Sequence, residues 1–122
     1  MEKKRILLLD DDRSLVDSFQ MILRKAGHHV EIATTGRQAL DKARDTKFHL
    51  AIIDIVLPDI RGDEVASKLK ERDEKLGIVL ITGYPSLQDC IDVLDIGIHE
   101  ILLKPISANE LLRVTNEAIQ AL

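Results

Sequence analysis

The sequence predicts an α/β fold: a doubly wound five-stranded parallel sheet, (βα)5, with helices on both faces. Three observations carry this prediction. Short apolar runs recur along the 122 residues without the alternation of a half-exposed strand. Such runs fit strands buried on both faces. Segments with apolar residues at helical spacing separate them, and strict strand–helix alternation implies parallel strands joined by right-handed crossovers. Several runs stop at a polar residue, and the carboxyl edge of an open parallel sheet is where ligands bind.

The chain is organised around Leu50-Ala51-Ile52-Ile53-Asp54-Ile55-Val56-Leu57-Pro58. Pro58 cannot continue a central strand, so this strand, Phe48–Asp54, ends near its carboxylate. Before it, Arg5–Leu9 forms a strand that stops at Asp10-Asp11-Asp12. Leu15, Val16, Phe19, Ile22, Leu23 and Ala26 mark the first helix, and Gly27 ends it. Val30–Thr34 is a short strand, and Thr35-Gly36-Arg37-Gln38 is a capping-box pattern. Ala39, Leu40 and Ala43 line that second helix, while Val65, Ala66 and Leu69 line a third after Gly62. Ile78–Thr82 is the fourth strand. The fourth helix begins at Pro85 with Ser86 as cap, carries Leu87, Ile91 and Leu94 inward, and ends at Gly97. Ile98–Leu103 is the fifth strand, stopped by Lys104-Pro105. A second capping box, Ser107-Ala108-Asn109-Glu110, opens the last helix, with Leu111, Val114, Ala118 and Leu122 inward. No linker or repeat interrupts this order, which predicts one domain over residues 1–122.

Composition narrows the function. A net charge of −4 and only three aromatics, Phe19, Phe48 and Tyr84, argue against direct nucleic-acid binding. The apolar run Ile6–Leu9 is too short for a signal peptide, and nothing is long enough to span a bilayer. Cys90 is alone, so no intrachain disulfide can form, and a reducing, cytoplasmic setting is expected. Asp89, Asp92 and Asp95 read as a solvated helix face. His28, His29, His49 and His99 lack metal-ligand spacing and read as surface or strand-end residues.

Parallel strands bring their carboxyl ends to one edge. Asp10 and Asp11, Asp54, Thr82 and Lys104 therefore converge from four strands. Taken one at a time, the first acids could be a helix cap, Thr82 a strand residue and Lys104-Pro105 a turn. Together they make a charged site. Two carboxylates about 4 Å apart repel by about 4 kcal/mol at an effective dielectric near 20. Lys104 offsets part of this and a divalent cation offsets more. Hard oxygen ligands are what Mg²⁺ takes, usually alongside phosphate oxygens. One carboxylate then remains free to attack phosphorus and form an aspartyl phosphate.

Taken in order, Leu8-Leu9-Asp10-Asp11-Asp12, Asp54-Ile55-Val56-Leu57-Pro58 with Gly62, Ile81-Thr82-Gly83, and Gly97 followed by Leu103-Lys104-Pro105 resemble the receiver domain of two-component response regulators. This is the flavodoxin-like family phosphorylated by sensor histidine kinases. The resemblance covers residues 5–121. It implies strand order 2-1-3-4-5 and a cis Lys104–Pro105 peptide. It implies Asp54 as phosphoacceptor, with Asp11, Asp54 and the Val56 carbonyl as Mg²⁺ ligands and Asp10 acting through water. Thr82 and Lys104 would contact the phosphoryl group, with the backbone N–H groups of Val56 and Gly83. The implied partners are a sensor histidine kinase or histidine phosphotransfer protein and a downstream output, with the chain a monomer or weak dimer. Signalling would change the surface around helix 4, strand 5 and helix 5, which makes the chain a switch and not an enzyme.

The sequence departs from the family at Ile101, where receivers usually carry Tyr or Phe three residues before the lysine. In the family that aromatic turns inward when the threonine moves to the phosphoryl group. Isoleucine has no hydroxyl and is stiff at χ1, so a smaller rearrangement is expected, confined mainly to the Thr82–Leu87 loop and the start of the fourth helix. The residues two after the phosphoacceptor and two after the threonine flank the path of hydrolytic water. Here they are Val56 and Tyr84, which predicts slow phosphoryl loss. Val56 also stands where aspartyl-nucleophile phosphohydrolases often place a second acid, which disfavours that rival. A dinucleotide-binding module would need G-x-G-x-x-G after the first strand, where Asp10-Asp11-Asp12-Arg13-Ser14 stands instead. A receiver that docks without being phosphorylated is disfavoured because all five site residues are present.

Overall fold

The computed structural model describes residues 4–86 and 96–122. Five parallel strands form one sheet in the order β2-β1-β3-β4-β5. They are β1 (Arg5–Leu9), β2 (His29–Ala33), β3 (Leu50–Asp54), β4 (Gly77–Thr82) and β5 (Glu100–Leu103). The helices among the described residues are α1 (Arg13–Lys25), α2 (Gly36–Asp45), α3 (Gly62–Arg72) and a C-terminal helix, Ala108–Gln120. Residues 87–95 lie outside the described residues. So do the sequence expectations for Leu87, Asp89, Cys90, Ile91, Asp92, Leu94 and Asp95.

The lack of alternation in the strands has its cause in two cores. Ile6 and Leu8, Leu50 and Ile52, Val79 and Ile81, and Leu102 face α1 and the C-terminal helix. Leu7 and Leu9, Ala51 and Ile53, and Ile78 and Leu80 face α2 and α3. Every residue of β3 is buried. Both faces of the sheet are therefore covered, as doubly wound winding requires. Register aligns Leu9 with Ile53, Asp54 with Ile81 and Thr82 with Leu103. The carboxyl ends of β1, β3, β4 and β5 are thereby level with one another.

The helix ends follow local chemistry. The Asp12 side chain accepts from Leu15 N and caps α1. Thr35 and Ser107 cap α2 and the C-terminal helix by accepting from Gln38 N and Glu110 N. The Gln38 side chain returns to Thr34 N at 2.9 Å, one residue earlier than in the usual box. Gly27 and Gly97 have φ of +97° and +77°, the left-handed conformation that a helix stop favours.

Several sequence expectations are corrected. β3 starts at Leu50 and β5 at Glu100, because Phe48 and Ile98 pack against the core without joining a ladder. β2 is displaced by one residue, to His29–Ala33. The helical conformation after β4 begins at Pro85, which suits the first helical position, so Ser86 cannot be its cap. Leu122 lies beyond the last helix and is exposed. His28 and His49 each stand one residue before a strand, as expected of strand-end residues. His28 is also buried, which pushes its imidazole below the ordinary histidine range, and His49 Nδ1 accepts from Arg5 N at 3.0 Å. The Lys104–Pro105 peptide is cis, as the resemblance implies.

Thr115, on the C-terminal helix, is fully buried and its hydroxyl oxygen has no hydrogen-bond partner. An unpaired buried hydroxyl costs about 1–3 kcal/mol, whereas an apolar isostere costs little. Thr115→Val is therefore expected to stabilise the fold by about 1 kcal/mol in urea unfolding. Destabilisation by a similar amount would show that the hydroxyl has a partner in solution.

Candidate functional site

The carboxyl edge of the sheet gathers a lysine and three acids. β1 ends in Leu9, and Asp10 N still donates to Ala33 O at 3.2 Å, so the ladder delivers Asp10 into the edge. Asp10 is fully buried, and its Oδ1 accepts from Asp12 N at 3.0 Å. Asp11 is exposed beside it. Asp54 is 5% exposed at the end of β3, and its Oδ1 accepts from Val56 N at 3.1 Å. Lys104 follows β5, anchored by its N–H donating to Thr82 O at 2.7 Å. Its Nζ lies 2.9 Å from Asp10 Oδ2 and 3.0 Å from Asp54 Oδ2. One ammonium thus bridges two buried carboxylates that are distant in sequence.

The compensation is incomplete. Oxygens of Asp10, Asp11 and Asp54 all lie within 4.8 Å of one another. At that spacing each pair repels by about 3.5 kcal/mol for an effective dielectric near 20. Burial pushes the Asp10 carboxyl above the ordinary aspartate range, although the Asp12 amide and Lys104 pull it back. Burial also works against the Lys104 charge, but its bonds to Asp10 and Asp54 prevail and hold the ammonium above its ordinary range. Asp10 Oδ2 has the ion-pair contact but no well-directed hydrogen bond. Three carboxylates sharing one lysine make a set of hard oxygen donors that fits a cation such as Mg²⁺.

The rim is set by two loops. Gly62 N donates to Ile55 O at 2.7 Å, folding the loop after β3 back on itself. A Cβ on Gly62 would stand 2.0 Å from the Asp54 carbonyl oxygen, so only glycine permits this close return. On the other side, buried Thr82 accepts from Tyr84 N at 3.1 Å through its hydroxyl oxygen. Among the described residues, a Cβ on Gly83 would meet nothing within 4 Å. Val56 and Tyr84 are exposed, at 43% and 57%. Ile101 is half-buried and packs against the core on the α2–α3 face.

The edge thus brings together Asp10, Asp11, Asp54 and Lys104, with Thr82 one strand away. The bridging position of Lys104 is not expressed in the sequence. Nor is Asp59, whose carboxylate reaches from the loop after β3 to α2. The Pro58-Asp59 pair is a turn signal, but its partners are 22 and 23 residues away.

The family model for the response regulator receiver domain matches residues 6–116. The chain belongs to this family. The receiver is 32% identical over 120 residues to the uncharacterized transcriptional regulatory protein YkoG of Bacillus subtilis, a match covering 98% of this chain and 53% of that protein. It spans about half, or less, of the curated regulators it matches. Its fold is similar to a CheY-like response regulator receiver domain protein from Methanospirillum hungatei. The TM-score is 0.92 at 35% identity, covering 98% of this chain and 96% of the other. It is also similar to response regulator TrrA of Thermotoga maritima, solved in complex with Mg²⁺ and BeF. There the TM-score is 0.85 at 27% identity, covering 94% and 98%. Among the described residues no helix of the receiver is long and apolar enough to cross a membrane.

The raised Asp10 carboxyl has a consequence for stability. A group whose folded value is raised contributes stability below its unfolded value and loses it as pH rises through the folded one. Charged Asp10 is therefore a burden on the metal-free fold at neutral pH. Asp10→Asn is expected to raise Tm in EDTA at pH 7, with a difference from wild type that grows as pH rises through the Asp10 titration. Mg²⁺ should narrow it. A difference independent of pH would place the effect elsewhere than the Asp10 charge.

Proposed function

We propose that this chain is a phospho-accepting switch in a histidine–aspartate phosphorelay and that Asp54 takes the phosphoryl group. The observation that carries this reading is the position of Asp54. It is nearly buried at the carboxyl edge, with one oxygen on the Val56 amide and the other on Lys104. Both contacts orient the carboxylate. Transfer forms a bond between an Asp54 oxygen and phosphorus and breaks the bond from phosphorus to the imidazole nitrogen of a phosphohistidine. The donor is a sensor kinase or a histidine phosphotransfer protein. Lys104, the Thr82 hydroxyl and the amides of Val56 and Gly83 would donate to the phosphoryl oxygens. The Val56 amide now held by Asp54 Oδ1 would change partner, whereas the Thr82 oxygen can keep accepting from Tyr84 N while its O–H donates to the phosphoryl group.

Asp11, Asp54 and the Val56 carbonyl would hold Mg²⁺, with Asp10 reaching it through water. When bound, Mg²⁺ neutralises charge on the phosphoryl oxygens. The chain is read as a single domain over residues 1–122, acting in the cytoplasm and not turning over an external substrate. Output runs through the surface around the fourth helix, β5 and the C-terminal helix, in the chain itself or to a partner. Thr82 supplies the differential contact that shifts the switch. Ile101, already packed against the core, confines the change mainly to the loop after β4 and the start of the fourth helix. No direct contact with nucleic acid or membrane is part of this reading, and the chain is taken as a monomer or weak dimer.

Incubation with acetyl phosphate and Mg²⁺ should add one phosphoryl group to the intact mass. Asp54→Asn and EDTA should each abolish it. Labelling that persists in either case would overturn the reading.

Val56 and Tyr84 are exposed, and this reading has them flank the path by which water would approach in line behind phosphorus. Val56 offers no side-chain hydrogen bond to orient that water, and the Tyr84 ring is large enough to cover the group. Together these can raise the barrier by about 1.4–3 kcal/mol, or roughly tenfold to a hundredfold in rate. Val56→Asn and Tyr84→Ala are each expected to lose phosphate faster than wild type in Mg²⁺. If neither accelerates, these side chains do not gate the water.

A further inference from the structure

We infer that Asp59 is a positioning residue: its carboxylate clamps the N-terminus of α2 to the loop after β3 and thereby fixes Val56 at the acid cluster. The inference rests on the reading of the Val56 carbonyl as a Mg²⁺ ligand.

The clamp is visible in the amide inventory of α2. The first amides of a helix have no partner within it. Here Gly36 N donates to Asp59 Oδ1 at 2.9 Å and Arg37 N donates to Asp59 Oδ2 at 3.0 Å. Gln38 N is taken by Thr35, and Ala39 N makes the first helical bond, to Thr35 O. Asp59 therefore supplies both partners that the helix's own cap leaves out. No acid stands in the first turn of α2, so Asp59 is also the negative charge that its N-terminal dipole favours. The amides of Arg37 and Gly36 hold the Asp59 carboxyl below the ordinary aspartate range even though it is exposed.

The clamp has a short, stiff lever to the site. Only Leu57 and Pro58 separate Val56 from Asp59. Proline fixes its own φ and restricts the residue before it. The loop is already closed at its base by the bond from Gly62 N to Ile55 O. With the base closed and the tip tied to α2, Val56 has little room to move. Gly36 makes the approach possible. A Cβ there would stand 2.9 Å from Val65 Cγ2, 3.2 Å from Ile60 Cβ and 3.4 Å from Asp59 Oδ1, and Val65 is fully buried.

The test is Mg²⁺ affinity, read from backbone amide shifts on titration with MgCl₂ in wild type, Asp59→Ala, Asp59→Asn and Gly36→Ala. Groups that orient metal ligands typically change affinity by about tenfold to a hundredfold. Asp59→Ala should raise Kd by about tenfold, near the lower end of that range. Asp59→Asn, which keeps an acceptor, should fall between it and wild type. Gly36→Ala, which displaces the helix but keeps the Asp59 charge, should weaken binding as well. An Asp59→Ala Kd within about twofold of wild type, with the Gly36 and Arg37 amides shifted or Tm lowered, would overturn the inference and leave a purely structural cap. So would Asp59→Asn matching Asp59→Ala while Gly36→Ala binds normally, since that isolates the lost charge. Wild type that shows no Mg²⁺-dependent shift would instead remove the underlying reading of the site, and the inference with it.

Discussion

One ammonium between two buried carboxylates is the constraint on which the site depends. Asp10 and Asp54 are placed at the sheet edge by β1 and β3, where a buried carboxylate without a partner would be costly. Lys104 reaches both within 3.0 Å. Its own backbone is tied to Thr82 O, so the strand that carries the threonine also sets the height of the lysine. The pair of cores behind the edge makes this possible. They fix every strand on both faces, leaving the carboxyl ends no freedom to drift apart.

The balance at this edge is tense and not relaxed. Three carboxylates face one lysine, and a buried oxygen of Asp10 lacks a directed hydrogen bond. A structural ion pair would be expected to satisfy its lone pairs. An edge left with excess negative charge is instead ready for a cation, and with the cation for an anion such as a phosphoryl group. The same tension makes the loop contacts matter. The Val56 amide already donates to Asp54 Oδ1, so a phosphoryl contact there must compete with an existing one. That competition is the physical content of a switch.

Most of the fold was legible because strands covered on both faces leave a continuous apolar signature, as β1, β3 and β4 do. Errors fell where packing and pairing part company. Phe48 and Ile98 are apolar and packed but make no ladder, and Leu122 continues the helical spacing beyond the helix itself. The burial of His28, just before β2, is set by tertiary packing, which a single polar letter does not reveal. At the site, the convergence of Asp10, Asp11, Asp54 and Lys104 followed from parallel strand direction alone. The bridging of two acids by Lys104 did not, since the sequence carries no distances. Asp59 was invisible for the same reason, its bonds reaching across to α2.

The central claim is that the chemistry falls on Asp54 and not on its neighbouring acids. Hydride reduction of an acyl phosphate converts that aspartyl residue to homoserine, which peptide mass spectrometry locates. After treatment with acetyl phosphate and Mg²⁺, the account predicts homoserine at position 54. Homoserine at position 10 or 11 would contradict it, because the buried lysine-held carboxylate of β3 would then not be the nucleophile.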